Sequence, residues 1–225
     1  MTSTTDYLAF WSKAIPNLHV HPDDEAALKS NPHEFALDTL VGPWMGPIRT
    51  APVVILMLNG GMAGNGEEAR AAQMPTARES MAHNLTGDAP LPNWEGIGNP
   101  AGREWTTRRL NQFGVSYKAA SDKVAVVNLI PYRSKEGAKD IRMADRLESC
   151  RVLRSWMHYT IFKEAEAGKR VVICMRSHRH WGLERGTNRG VSLFSPVCNR
   201  AGFTLHDERA PIGQAVRRAV FKTAA

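Results

Sequence analysis

Four apolar runs, spread along a chain of 225 residues, constrain its fold more than any other feature. They are residues 53–58 (VVILML), 124–130 (VAVVNLI), 171–175 (VVICM) and 191–194 (VSLF). A strand with one wet face alternates apolar and polar residues, whereas a strand covered on both faces reads as a near-continuous apolar run. Helical signals fill the intervals. Met143, Leu147, Cys150, Leu153, Met157 and Ile161 recur every third or fourth residue, a period of about 3.6, and Gly168 stands where such a helix would stop. Residues 103–113 and 214–222 carry shorter helical patterns. Strand–helix–strand alternation implies right-handed crossovers, so the expected fold class is α/β: a three-layer αβα domain around a central, mostly parallel four-stranded sheet.

The length suits one well-cored domain. We expect residues 1–225 to form it, with an N-terminal helical extension over 1–41 and the α/β core over 42–225. Leu8, Phe10, Trp11 and Ile15 mark one face of a first helix in the extension. A second helix starts at Pro22-Asp23-Asp24-Glu25, with acids in its first turn.

Composition narrows the function classes. No apolar run approaches the roughly 20 residues needed to cross a bilayer, so no membrane partner is expected. The opening MTSTTD lacks the basic start of a secretory signal, and Cys150, Cys174 and Cys198 are far apart without a C-x-x-C pair. These features point to a cytoplasmic protein with no disulfide framework, no metal site and no cofactor. A net charge of +7 and an isoelectric point near 9.6 favour a polyanionic partner, because lysine and arginine neutralise phosphates and release their counterions. Nucleic acid is one such partner, and a basic soluble protein of unrelated role is the other reading of the same charge; the chain is expected to be a monomer.

In α/β domains ligands bind outside the carboxyl ends of the strands, which directs attention to the residues that end each run. The first run leads into Leu58-Asn59-Gly60-Gly61, then Met62-Ala63-Gly64-Asn65-Gly66. Gly61 and Gly66 have the Walker A separation, but Glu67-Glu68 stands where Lys and Ser/Thr are required, and an acidic pair would repel a triphosphate. The second run carries a polar Asn128 and continues into Pro131-Tyr132-Arg133. A buried amide is costly unless paired, and the edge of an extruded nucleobase is one partner for it; neighbouring backbone is another. The fourth run ends in Ser195-Pro196, followed by Asn199, Arg200 and Gly202.

Taken in order, these three motifs resemble those of the uracil-DNA glycosylase superfamily, over about residues 42–206. Leu58-Asn59-Gly60-Gly61 is similar to its first motif, with Gly60 in place of the usual proline. Residues 126–133 are similar to the strand that carries a base-reading Asn. Leu193-Phe194-Ser195-Pro196 keeps the Ser-Pro of the last motif but not its catalytic histidine.

The resemblance implies a DNA glycosylase that flips a base and hydrolyses its N-glycosidic bond, leaving an abasic site, in repair or in defence against modified phage DNA. Asn59 would position the attacking water. Asn128 would read the base edge, within a pocket formed by Gly60 and Gly61 and an aromatic residue: Tyr132, Trp94 or Trp44. Arg133, Arg176 and Arg200 would hold phosphates, with Ser195 and Pro196 at the DNA surface.

The segment after the third run, Arg176-Ser177-His178-Arg179-His180-Trp181, is the densest basic–aromatic stretch. His178 or His180 would then supply the charge lost with the missing motif histidine. Glu67 or Glu68 is either a general base or an ordinary acidic helix start. Residues 83–102, rich in Gly, Pro and Asn, read either as a long functional loop or as a disordered connection. Two other readings stay open: a non-catalytic nucleic-acid-binding module of the same fold, and a hydrolase of free nucleosides or nucleotides.

Overall fold

A computed structural model describes residues 7–62, 66–199, 202–204 and 206–222. Its centre is a six-stranded mixed sheet in the order β1-β3-β2-β4-β6-β5. The strands are β1 (Trp44–Met45), β2 (Val53–Met57), β3 (Val124–Asn128), β4 (Val171–Cys174), β5 (Thr187–Arg189) and β6 (Leu193–Ser195).

The α/β class holds, but the four-stranded sheet is corrected to six strands. The four apolar runs supply β2, β3, β4 and β6, which pair parallel in the order β3-β2-β4-β6. Two short strands add antiparallel edges, β1 on β3 and β5 on β6. The fourth run enters the sheet late: Val191 is 71% exposed, and pairing begins at Leu193.

Side chains along the parallel strands alternate between two apolar cores. Val54, Leu56, Val127, Val172 and Cys174 face one, and Val53, Ile55, Val126 and Ile173 face the other. Both faces are covered by helices, which is why the strands carry no alternating polar residues.

The first core is closed by α1 (Tyr7–Ser12), α2 (Glu25–Ser30) and one long helical segment. That segment runs through α8 (Glu148–Trp156), a π-helical turn (Met157–Ile161) and α9 (Phe162–Glu166). The periodic residues Met143, Leu147, Cys150, Leu153, Met157 and Ile161 are all buried there. Gly168 ends the segment at φ 74°, donating its N–H to the Ala165 carbonyl.

The second core is closed by α5 (Pro100–Asn111), α6 (Tyr117–Ala120) and α10 (His206–Phe221). Short helices α3 (Glu67–Ala71), α4 (Pro75–Asn84) and α7 (Gly137–Asp140) complete the chain. No helix among the described residues is long and apolar enough to cross a membrane.

Residues 7–41 join the main core directly. Tyr7 stacks on Trp156 and tilts against Trp44, while Trp11 meets Trp44 edge-on. Ile15, expected on the buried face, is 41% exposed because α1 stops at Ser12. Asn84, at the end of α4, holds β1 in place. Its Nδ2 donates to the Trp44 carbonyl at 2.7 Å, its Oδ1 accepts from Gly46 N–H at 3.2 Å, and its own carbonyl accepts from Trp44 Nε1 at 3.0 Å.

Candidate active site

β2 and β3 run parallel with Met57 opposite Asn128, so Asn59 and Asn128 reach the same carboxyl edge of the sheet. A cleft of about 230 Å³ opens there, bordered by both asparagines and by Gly60, Gly61 and Arg133. A smaller recess of about 70 Å³ shares with it Met45, Glu68, Trp94, Asn99, Asn128 and Arg133, and carries it inward toward Trp44 and Met81.

Each asparagine is oriented by backbone. Asn128 is 7% exposed, and its Nδ2 donates to the Gly42 carbonyl at 2.6 Å. A carbonyl can only accept, so this bond assigns the amide: nitrogen toward Gly42, and Oδ1 as the remaining acceptor. No donor among the described residues reaches that oxygen. Asn59 Nδ2 donates to Ser134 Oγ at 2.9 Å and to the Tyr132 carbonyl at 3.3 Å, fixing the side chain against the segment that follows β3.

Gly60 makes room for Arg133. A Cβ on Gly60 would lie 3.0 Å from one Arg133 terminal nitrogen and 3.2 Å from its Cγ, so a side chain there would push the arginine aside. Arg133 donates to the Gly61 carbonyl at 3.1 Å. Burial lowers the guanidinium's pKa, and the negative charge of Glu68 works against that shift. Glu68 is 7% exposed, in the first turn of α3.

The segment 85–99 covers one side of the cleft in turns, between the end of α4 and the start of α5. Gly102, in the first turn of α5, allows Trp94 to lie against the helix: a Cβ there would sit 2.6 Å from the indole ring. Asn99 caps the helix by accepting from Gly102 N–H at 2.9 Å. Tyr117 donates to the Pro92 carbonyl at 2.6 Å, tying the segment to α6. The long loop is therefore ordered by specific contacts, and it contributes an aromatic wall.

α5 carries a basic rim. Arg108 and Trp105 border the cleft. The Arg109 guanidinium lies between two rings, 4.5 Å from the Trp105 centroid and 4.8 Å from that of Phe203. Burial and the like charges of Arg108 and Arg176 lower its pKa to about 10. Arg108, Arg109 and Arg176 thus concentrate positive charge at this end of α5.

Other expected site residues lie elsewhere. Tyr132 is 2% exposed, and its hydroxyl donates to Asp24 Oδ2 at 2.6 Å, so it belongs to the core and does not face the cleft. Trp44 is buried at the inner end of the recess. His178 Nε2 donates to the Pro196 carbonyl at 3.0 Å, while the backbone N–H of His180 donates to the Ser177 carbonyl at 2.8 Å within the turn. Neither histidine is among the described residues lining the cleft.

Ser195 is 2% exposed and Pro196 is also buried, so both lie below the surface they were expected to form. Arg176 packs near Gly202 and belongs electrostatically to the α5 rim. Arg200 lies outside the described residues.

The structure also brings in residues the motifs did not mark: Met45, Asn99, Trp105, Arg108 and Arg109. The available signal for the last three was the spacing WTTRR within a helix, which sets an aromatic residue and an arginine one turn apart. No protein-family model matches the chain, and neither a curated protein nor a solved structure matches it.

Proposed function

We propose that this chain is a DNA glycosylase, an atypical relative of the uracil-DNA glycosylases, that hydrolyses the N-glycosidic bond of a base flipped out of DNA. The observation that carries the reading is the convergence of Asn59 and Asn128 on one cleft from adjacent parallel strand ends. The motifs assigned these two residues to the attacking water and the base edge, and nothing in their sequence separation required them to meet.

The cleft supports each role. Asn128 offers a fixed acceptor in a partly apolar recess, suited to a ring N–H or exocyclic amine on a base. Trp94 gives the recess an aromatic wall. Asn59 holds water by hydrogen bonds near the anomeric carbon and works through placement, since an amide takes no proton. Arg108, which borders the cleft, and Arg176 supply phosphate-binding charge, while the buried Arg109 is held against the Trp105 and Phe203 rings.

The test incubates the protein with oligonucleotides containing only ordinary bases, uracil, or hydroxymethylated or glucosylated cytosine, and scores alkali-labile abasic sites. We expect one modified strand to be cut and Asn59→Ala to reduce the rate about 100-fold or more. Salt-sensitive DNA binding without abasic product from any strand would replace this reading with a non-catalytic binding module. The identity of the cut strand separates repair of uracil from defence against modified phage DNA.

A further inference from the structure

Two opposite charges border the same cleft. Glu68 enters it from the first turn of α3, and Arg133 from the segment after β3, where Gly60 and Gly61 seat it. Both also border the inner recess, and the charge of one acts on the other. Breaking an N-glycosidic bond separates charge in the same sense: the sugar becomes cationic and the departing base anionic. Fixed charges aimed at the places where charge develops, in a site that excludes water, lower such a barrier. The His178 ring, which would otherwise supply positive charge, is held at the Pro196 carbonyl, and neither it nor His180 is among the described residues lining the cleft.

We propose that Glu68 and Arg133 are the charge pair of the reaction, with Arg133 stabilising the departing base anion and Glu68 the cationic sugar and its attacking water. The proposal rests on the glycosylase reading above. In the step it describes, the C1′–N bond breaks and its electron pair leaves on the base nitrogen. The water oxygen forms the new bond to C1′. One water proton passes to the Glu68 carboxylate and from there, directly or through solvent, to the base anion, which departs neutral. Asn59 positions the water and Glu68 accepts the proton, a division of labour that an amide alone could not complete.

The test uses the full chain and two abasic-site oligonucleotides of identical sequence. One carries a pyrrolidine in place of the sugar, protonated and so a mimic of the cationic sugar; the other carries a neutral tetrahydrofuran. Wild-type protein is expected to bind the pyrrolidine strand about tenfold or more tightly. Glu68→Gln should abolish that preference while keeping tetrahydrofuran affinity. Arg133→Gln should widen it, because the repelling cation is gone. In the abasic-site assay both substitutions should slow single turnover about 100-fold, and Glu68→Asp and Arg133→Lys, which keep the charges, should slow it less.

Equal wild-type affinity for the two strands overturns the pair, as does a preference that Glu68→Gln leaves unchanged. Either result leaves the glycosylase reading standing wherever abasic product still forms. A wild-type protein that yields no abasic product overturns both. If Glu68→Gln fails to fold, shown by loss of its thermal transition, Arg133→Gln carries the comparison: a preference for the pyrrolidine strand that it leaves unwidened overturns the pair.

Discussion

Tyr132 donates its hydroxyl proton to Asp24 Oδ2 across 2.6 Å and 108 residues of sequence. The same oxygen of Tyr132 accepts from His21 N–H at 3.3 Å, and Asp24 Oδ1 accepts from Ser149 N–H at 3.0 Å. Three segments meet at this buried node, which fastens the N-terminal helices to the sheet and to α8. Burial, followed by the neighbouring Asp24 charge, raises the tyrosine pKa far above its ordinary value, so the hydroxyl remains a donor. Tyr132→Phe should cost about 1.5–3 kcal/mol, the range for a hydrogen bond to a charged group, read from the denaturant midpoint. Activity per folded molecule should be unchanged, because the ring does not face the cleft.

Gly60→Ala tests the opposite division. A methyl group there meets Arg133 at 3.0–3.2 Å and must displace it by a few tenths of an ångström. The arginine is a flexible side chain, so stability should change by less than about 1 kcal/mol. Glycosylase turnover should fall about tenfold or more, since misplacement near the reacting atoms is costly. A variant with normal activity would show that the seating of Arg133 by Gly60 is irrelevant to catalysis.

The α5 rim predicts a salt signature. Each phosphate contact contributes about 0.9 to the slope of log affinity against log salt on duplex DNA. Arg108→Gln and Arg176→Gln should each lower the slope by about that amount, on every DNA sequence alike. Removing Arg176 should also raise the pKa of Arg109 from about 10 toward its ordinary value, because one of its two depressing charges is gone.

The three cysteines should be silent to alkylation in the native protein. All three are buried thiols outside any disulfide, and burial drives those of Cys150 and Cys174 well above their ordinary range. At pH 8 neither forms the reactive thiolate to a useful extent. Mass spectrometry should find no adduct after brief iodoacetamide treatment of folded protein, and three adducts per chain in denaturant.

What could be read from the sequence follows from how local each signal is. The four parallel strands were legible because burial on both faces leaves an uninterrupted apolar run. Asn59 was legible as the polar residue that follows such a run, and Asn128 as a polar residue that interrupts one. β1 and β5 were not: Trp44-Met45 and Thr187-Asn188-Arg189 are too short for any period and become strands only through their neighbours.

Tyr132 misled because its partner Asp24 is remote, and an aromatic beside a motif reads the same whether it turns inward or outward. The stretch from Arg176 to Trp181 misled for a related reason. Its composition suits a nucleic-acid surface, yet Trp181 is fully buried and His178 is turned onto Pro196. The α5 rim was missed because arginines on a helix usually face solvent alone; only the fold brings Phe203 and Arg176 beside Arg109.

The two antiparallel edge strands have a meaning beyond topology. An exposed sheet margin is a template on which other chains can assemble, and long flat margins invite amyloid-like growth. Here one margin is two residues long and the other three, ending in the charged Arg189. Four strongly aggregation-prone segments are thus enclosed between stubs that offer an incoming chain almost no ladder to extend.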